Sequence, residues 1–278
     1  MEYEKLSHDR QVVTDKIKEY ERAGIFDKDV EDDPPTEILL PNRVDYLNKK
    51  LSSKIKSYFA NRAAVRYFEK EFKKKRLVYG DVTGIENFKK VKGGAIVTCN
   101  HFSIYDHYVV YKTLLPYLRH GRIYKIIREG NYTSMQGIFG MFFKHCNTLP
   151  LSSNVETMKK FFEAIDVLLA RGEKILVFPE QAMWWNYKKP RPMKNGAFRF
   201  AVKYDVPVIP IFITLKEYGT YNDDGSPVYI YNINIAEPIY RKCELSEREN
   251  VEYLKNANYD VWKNIYENYY GKKLIYGD

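Results

Sequence analysis

Asn100, His101 and Asp106 are the residues of this chain whose types and spacing can carry chemistry. On a continuous helix an imidazole five positions ahead of a carboxylate would point away from it, since only residues three or four apart are neighbours. With His101 in a loop and Asp106 in the first turn of a following helix, the ring can fold back onto the carboxylate. The Asp would then fix the tautomer and stabilise the imidazolium, leaving the other ring nitrogen to take a proton from a hydroxyl. Ser103 and Asp106 also have the spacing of a capping box, which by itself accounts for both and leaves His101 an ordinary loop histidine.

The flanking pattern places the trio. Ala95-Ile-Val-Thr98 is a short, β-branched run after the turn pair Gly93-Gly94 and reads as a buried strand. Tyr105, Tyr108, Val109, Lys112 and Leu115 then recur at helical spacing. The polar residues therefore sit at the carboxyl edge of a sheet, where open α/β folds bind ligands. Further strands are expected at 77–83, 123–127, 147–151, 174–179 and 206–213, separated by helices near 103–118, 134–145, 154–171 and 194–204. In the helix at 154–171, Ser153 and Glu156 have capping spacing and Gly172 supplies the stop. An alternating strand at 227–235 and a helix near 246–269 close the chain. The fold class is α/β, a mostly parallel sheet flanked by helices, with covered strands reading as continuous apolar runs.

A basic amphipathic helical segment precedes this unit. Residues 43–76 hold 12 basic and 3 acidic side chains. Val44, Leu47, Leu51, Ile55, Tyr58 and Phe59 share one helical face, continued by Tyr67, Phe68 and Phe72 after a bend. Such a segment is either a membrane-surface element or a core helix with a solvated basic back. A short helix at 8–23 and an acidic linker at 27–35, with a boundary at Pro34-Pro35, come first. The expected organisation is an acidic lead at 1–40, the basic segment at 41–76 and the main domain at 77–278.

The net charge of +9 is unevenly spread: residues 1–40 carry 6 basic and 12 acidic groups, the remainder 39 and 24. A basic body attracts anionic surfaces such as bilayers, nucleic acid or acidic carrier proteins. Apolar content of 45% is that of a folded globular protein, and no run approaches the ~20 residues of a transmembrane helix. The polar start lacks a signal peptide's apolar stretch, which points to the cytoplasmic side. Cys99, Cys146 and Cys243 form neither a disulfide framework nor a zinc site, and Cys99 reads as core rather than as a nucleophile. Gly-x-Ser-x-Gly, His-Glu-x-x-His, phosphate-loop and dinucleotide fingerprints are missing, as is any RNA- or DNA-binding motif, so no nucleic-acid partner is expected.

Asn100-His101-x-x-x-x-Asp106 resembles the first motif of the glycerolipid acyltransferases, the family of 1-acylglycerol-3-phosphate acyltransferase. Gly84-Ile-Glu-Asn87, Phe178-Pro-Glu180 and Val206-Pro-Val-Ile-Pro210 resemble further family blocks in the right order, over about residues 78–215. The resemblance implies transfer of a fatty acyl group from a thioester, on coenzyme A or acyl carrier protein, to a lysophospholipid hydroxyl. The phospholipid-synthesis acceptor 1-acylglycerol-3-phosphate heads the expectation. It also implies His101 as general base, Asp106 as its orienter, Asn100 and Glu180 on the substrate side, no metal or cofactor, and peripheral attachment to the inner face of a membrane. Glu180 can equally be a carboxylate that braces a loop.

Two blocks depart from the family. Gln181-Ala-Met-Trp-Trp185 replaces the Gly-Thr-Arg-Ser continuation common there, bringing Gln181 beside the acceptor position. Cys146-Asn-Thr-Leu-Pro-Leu-Ser152 lacks the arginine that ends the second motif. Lys125, Arg128, Arg191 and Lys194 are the cations able to compensate; Arg128-Glu129 and Lys194-x-Gly196 themselves resemble family pairs. Trp184 and Trp185, with Met183 and Tyr187, fit an acyl groove, a headgroup contact or plain packing. An uncharged amphipathic alcohol as acceptor, or a non-catalytic basic module for membranes or nucleic acid, are the competing readings.

Overall fold

Alternation of strand and helix produces one seven-stranded sheet in the computed structural model, which describes residues 6–31 and 36–277. In chain order the elements are α1 (His8–Arg22), α2 (Leu51–Lys73), β1 (Val78–Thr83), α3 (Ile85–Lys90), β2 (Ala95–Cys99), α4 (Asp106–Leu114), β3 (Ile123–Ile127), α5 (Glu129–Thr133) and α6 (Gly137–His145). They continue with β4 (Thr148–Pro150), α7 (Val155–Ala170), β5 (Lys174–Val177), α8 (Gly196–Lys203), β6 (Val208–Tyr221), β7 (Pro227–Ile235) and α9 (Glu247–Tyr270). The strand order is β1-β7-β6-β2-β5-β3-β4, and only β6 and β7 run antiparallel. The mostly parallel α/β sheet predicted from the pattern is the one observed.

All five residues of β2 are buried, and successive ones serve opposite faces. Ile96 joins Phe161, Ile165, Phe198 and Trp262 under α7, α8 and α9, while Val97 joins Val109, Val110 and Phe88 under α4 and α3. Burial on both faces is why the run is continuously apolar. At its end Thr98 donates its hydroxyl to the buried Asn258 of α9 at 2.6 Å.

Several boundaries differ from the expected ones. The basic helix starts at Leu51, because the Asp45 carboxylate accepts the N–H groups of Lys49 and Lys50 and turns the chain there. Tyr46 is buried instead, its hydroxyl donating to Pro150 O at 2.8 Å. From Leu51 the helix runs through to Lys73 as one element, without the expected break. Ser57, Ala60 and Phe68 face the protein, whereas Leu51, Ile55, Tyr58 and Phe59 are 72, 50, 57 and 65% exposed. The first part of the apolar stripe therefore looks outward, while Tyr67, Phe68 and Phe72 pack into the core as a core helix would. Asn154, not Ser153, caps α7 by accepting the Thr157 N–H, and the Ser153 N–H is given to Glu129. The expected helix at 134–145 is interrupted before Gly137, which adopts φ +63°. β6 extends to Tyr221 because its far end pairs with β7 in a hairpin. The Pro34-Pro35 boundary lies outside the described residues.

Gly84 explains the block Gly84-Ile-Glu-Asn87. It sits at φ +74°, where a Cβ would stand 1.9 Å from Ile235 O, the carbonyl that also accepts from Asn87 Nδ2 at 3.0 Å. The residue pair locks the start of α3 to the end of β7. Gly84→Ala should lower the unfolding free energy by about 2–4 kcal/mol, from left-handed strain plus the clash. Urea denaturation with an unchanged midpoint would show that the approach is relaxed at no cost.

Candidate active site

β2 ends at Cys99, and residues 100–105 turn over the carboxyl edge before α4 begins at Asp106. The Asp106 carboxylate is fully buried. Its Oδ2 accepts from the Phe102 N–H at 3.1 Å and the Ser103 N–H at 3.2 Å, and its Oδ1 from the His107 N–H at 2.6 Å. This carboxylate thereby shapes the loop as well as facing the ring: His101 Nδ1 lies 2.7 Å from Oδ2. Only one half of a capping box forms, since the Ser103 hydroxyl accepts from the Tyr105 N–H instead. An Asp fixed by three backbone donors holds Nδ1 as the protonated nitrogen, which leaves Nε2 as the basic one. Nε2 has no hydrogen-bond partner among the described residues, and the His101 side chain keeps 23% of its surface exposed. The ring lies flat on Phe178, with centroids 4.1 Å apart and planes 20° off parallel. At the neighbouring His107, burial, then the charges of Lys125 and His101, pushes the pKa well below the usual value.

Glu180 follows β5 and is 2% exposed. Its Oε2 accepts the His101 N–H at 3.0 Å and Arg191 Nη2 at 2.9 Å, and its Oε1 accepts the Arg191 N–H at 2.8 Å. Arg191 in turn donates to the carbonyls of His101, Phe26 and Ala182. The guanidinium is wholly buried and spends Nη1 and Nη2 on these groups, as a strut under the His101 loop does. Asn100 is spent similarly, pairing both ways with the backbone of Ile213 on β6 at 2.8 and 3.0 Å. Of the residues placed on the substrate side, then, Asn100, Glu180 and Arg191 lie buried around the His101 loop and hold it through hydrogen bonds. Nothing in their sequence spacing distinguishes a strut from a ligand contact; burial does.

The remaining cations lie at the rim. Lys194 is exposed, anchored through its N–H to Pro179 O at 2.8 Å, and its ammonium meets Asp27 at 2.7 Å. Arg128, just past β3, meets Asp29 at 2.5 Å. Lys125 lies within β3, where burial lowers its pKa. Gln181 is exposed at φ +68°, its N–H closing a turn onto Phe178 O. In place of the family's arginine, Ser152 gives its hydroxyl to Glu129 and to Leu39 O. Burial opposes ionisation of Glu129, yet donors from Leu39, Ser152 and Ser153 hold its pKa below the usual value. Trp184 is fully buried, stacked on Phe26 and bonded through Nε1 to Lys28 O, so it is packing and not a headgroup contact. Cys99 is core, its thiol pushed well upward by burial and by the charges of Asp106 and Glu180. Two features escaped the sequence reading: Phe178 as the floor of the imidazole, legible only in that it heads the Phe-Pro-Glu block, and the docking of residues 26–29 along the rim, which left no local signal.

Removing one member of a buried ion pair strands the other. Arg191→Met should therefore cost about 3–5 kcal/mol of stability, much of it recovered when Glu180→Leu is added. A substrate-contact arginine would behave differently, raising the acceptor KM with stability changed by less than about 0.5 kcal/mol.

The acyltransferase family profile matches residues 80–214. A curated relative, the chloroplastic 1-acyl-sn-glycerol-3-phosphate acyltransferase BAT2 of Brassica napus, is 31% identical over 176 residues. That alignment covers 58% of this chain and 45% of the relative, so the match spans about half the length of the plant protein. Among solved structures, the 1-acyl-sn-glycerophosphate acyltransferase PlsC of Thermotoga maritima aligns over 77% of this chain and 79% of its own, at 22% identity and a TM-score of 0.48. The residues matched by the acyltransferase family, 80–214, contain His101, Asp106 and Glu180.

Proposed function

We propose that this protein transfers a fatty acyl group from a thioester to the hydroxyl of a lysophospholipid, with 1-acylglycerol-3-phosphate as the leading acceptor and acyl-coenzyme A or acyl carrier protein as donor. The observation that carries the reading is the Asp106–His101 pair, with Nδ1 held at 2.7 Å and Nε2 free at an open edge. His101 Nε2 removes the acceptor's hydroxyl proton as the oxygen attacks the thioester carbonyl. The tetrahedral intermediate collapses, the carbon–sulfur bond breaks, and the imidazolium returns the proton to the leaving thiolate. The thioester supplies the driving force, so the reaction calls for no resident metal or cofactor.

One observation favours a second acceptor, an uncharged amphipathic alcohol. The rim cations Lys194 and Arg128 already face Asp27 and Asp29, and Arg191 is buried.

The acceptor is amphipathic, and the outward stripe of α2 suits the same surface. Leu51, Ile55, Tyr58 and Phe59 are exposed beside Lys50, Lys54, Arg62 and Arg66. No helix among the described residues is long and apolar enough to cross a membrane. Apolar groups inserting at the headgroup boundary with cations around them describe peripheral attachment to an anionic leaflet.

Two tests follow. With labelled acyl-coenzyme A and a lysophospholipid, His101→Ala should abolish transfer and Asp106→Asn should lower it about 10²–10⁴-fold; wild-type turnover in a folded His101→Ala protein would refute the base. Sedimentation with phosphatidylglycerol vesicles should weaken as salt rises and on Ile55→Ser with Phe59→Ser, while phosphatidylcholine vesicles bind less. Equal binding to both lipids at every salt concentration would remove α2 as the contact.

A further inference from the structure

Four consecutive residues of the acidic lead lie along the rim of the site. The Phe26 carbonyl accepts from Arg191 Nη1 at 3.1 Å, the Asp27 carboxylate meets Lys194 at 2.7 Å, the Lys28 carbonyl accepts from Trp184 Nε1 at 2.9 Å, and the Asp29 carboxylate meets Arg128 at 2.5 Å. Apolar groups pin this stretch at both ends: Phe26 stacks on Trp184 and meets Tyr276 at a tilt, and Val30 is buried with Ile17 against Trp184. Lys194 is tied to Pro179, next to the Glu180 that holds the His101 N–H, and Arg128 follows the end of β3, the strand beside β5. The two carboxylates thus engage cations on the same sheet edge as the base.

We infer that Asp27 and Asp29 are specificity-determining residues: they occupy, as internal competitors, the cations that would otherwise receive a phosphate monoester of the substrate. The inference rests on the acyl-transfer reading and deepens it. Both pairs are accessible, with side-chain exposures of 47 and 52% for Lys194–Asp27 and 43 and 37% for Arg128–Asp29. Exposed pairs of this kind are weak, so a phosphate carrying nearly two charges and three acceptor oxygens can displace the carboxylates, whereas a neutral headgroup gains nothing by doing so. The segment therefore weakens binding of a phosphorylated substrate without touching the chemistry at His101. Two substrates bring such a phosphate, the lysophosphatidate acceptor and the 3′-phosphate of a coenzyme A donor.

The test compares wild type with the full-length D27N/D29N variant. KM is measured for lysophosphatidic acid against the monoacylglycerol of the same chain, and for acyl-coenzyme A against its 3′-dephospho form. The KM of one phosphorylated member should fall about three- to tenfold, the combined weight of two exposed pairs, with its phosphate-free counterpart shifting less than about twofold. Adding Lys194→Ala should cancel the gain, and E163Q/D166N, which removes two charges from α7, should not reproduce it. A fall for lysophosphatidic acid places the acceptor's phosphate at the rim, and a fall for acyl-coenzyme A places the donor's. Unchanged KM values, equal shifts within a pair, or the same shift in E163Q/D166N would overturn the inference. Should no substrate pair turn over even in wild type, calorimetric titration with glycerol 3-phosphate still decides: tighter binding to D27N/D29N supports the competitor role, and equal affinity ends it.

Discussion

A buried ion pair, Glu180 with Arg191, is the interaction on which the arrangement of the site depends. Two charges taken from water are costly unless every lone pair and donor is satisfied. Here the carboxylate takes the N–H groups of His101 and Arg191, and the guanidinium spreads over the carbonyls of His101, Ala182 and Phe26. The pair thus joins the loop after β2, the loop after β5 and the acidic lead. In a low-dielectric interior such a network tolerates little displacement, because any group released from it becomes an unpaired buried one. The position of the imidazole follows from it on one side and from Asp106 on the other.

Asp106 shows how one carboxylate can shape a loop and orient a ring together. Three backbone N–H groups define the turn into α4, and Oδ2, which takes two of them, also orients the His101 ring. Phe178 supplies the flat apolar floor beneath it. The surroundings of His101 are therefore built from four sources, the ends of β2 and β5, the start of α4 and the loop carrying Arg191, all delivered to one edge by a parallel sheet. A parallel sheet does this by construction, since its strands all end on the same side.

The acidic lead gives that edge a second character. A segment rich in carboxylates on a basic body has favourable long-range electrostatics wherever it lands. Phe26, Val30 and Leu39 decide where, through burial that does not weaken with salt. Charges at 27 and 29 are then held against Lys194 and Arg128, and the basic character of the rim becomes conditional on its own chain. On α2, Leu51, Ile55, Tyr58 and Phe59 remain exposed.

Local pattern determined much of this protein. The alternation of β-branched runs with helical stripes dictated the parallel sheet, because covered strands and helix faces each impose a period that a single segment reveals. The five-residue spacing from His101 to Asp106, at the junction of a strand and a helix, contained their paired geometry, since the loop and first turn that join them are local too. What the sequence left open were contacts between residues far apart in the chain. Asn100, Glu180 and Arg191 look like substrate contacts when read beside His101, and only burial against Ile213 and against one another makes them struts. Trp184 could have lined a groove until Phe26, more than 150 positions earlier, stacked on it. The pairing of Asp27 and Asp29 with Lys194 and Arg128 is of the same kind: a charge carries no address, and the apolar anchors that supply one find their partners only in the folded chain.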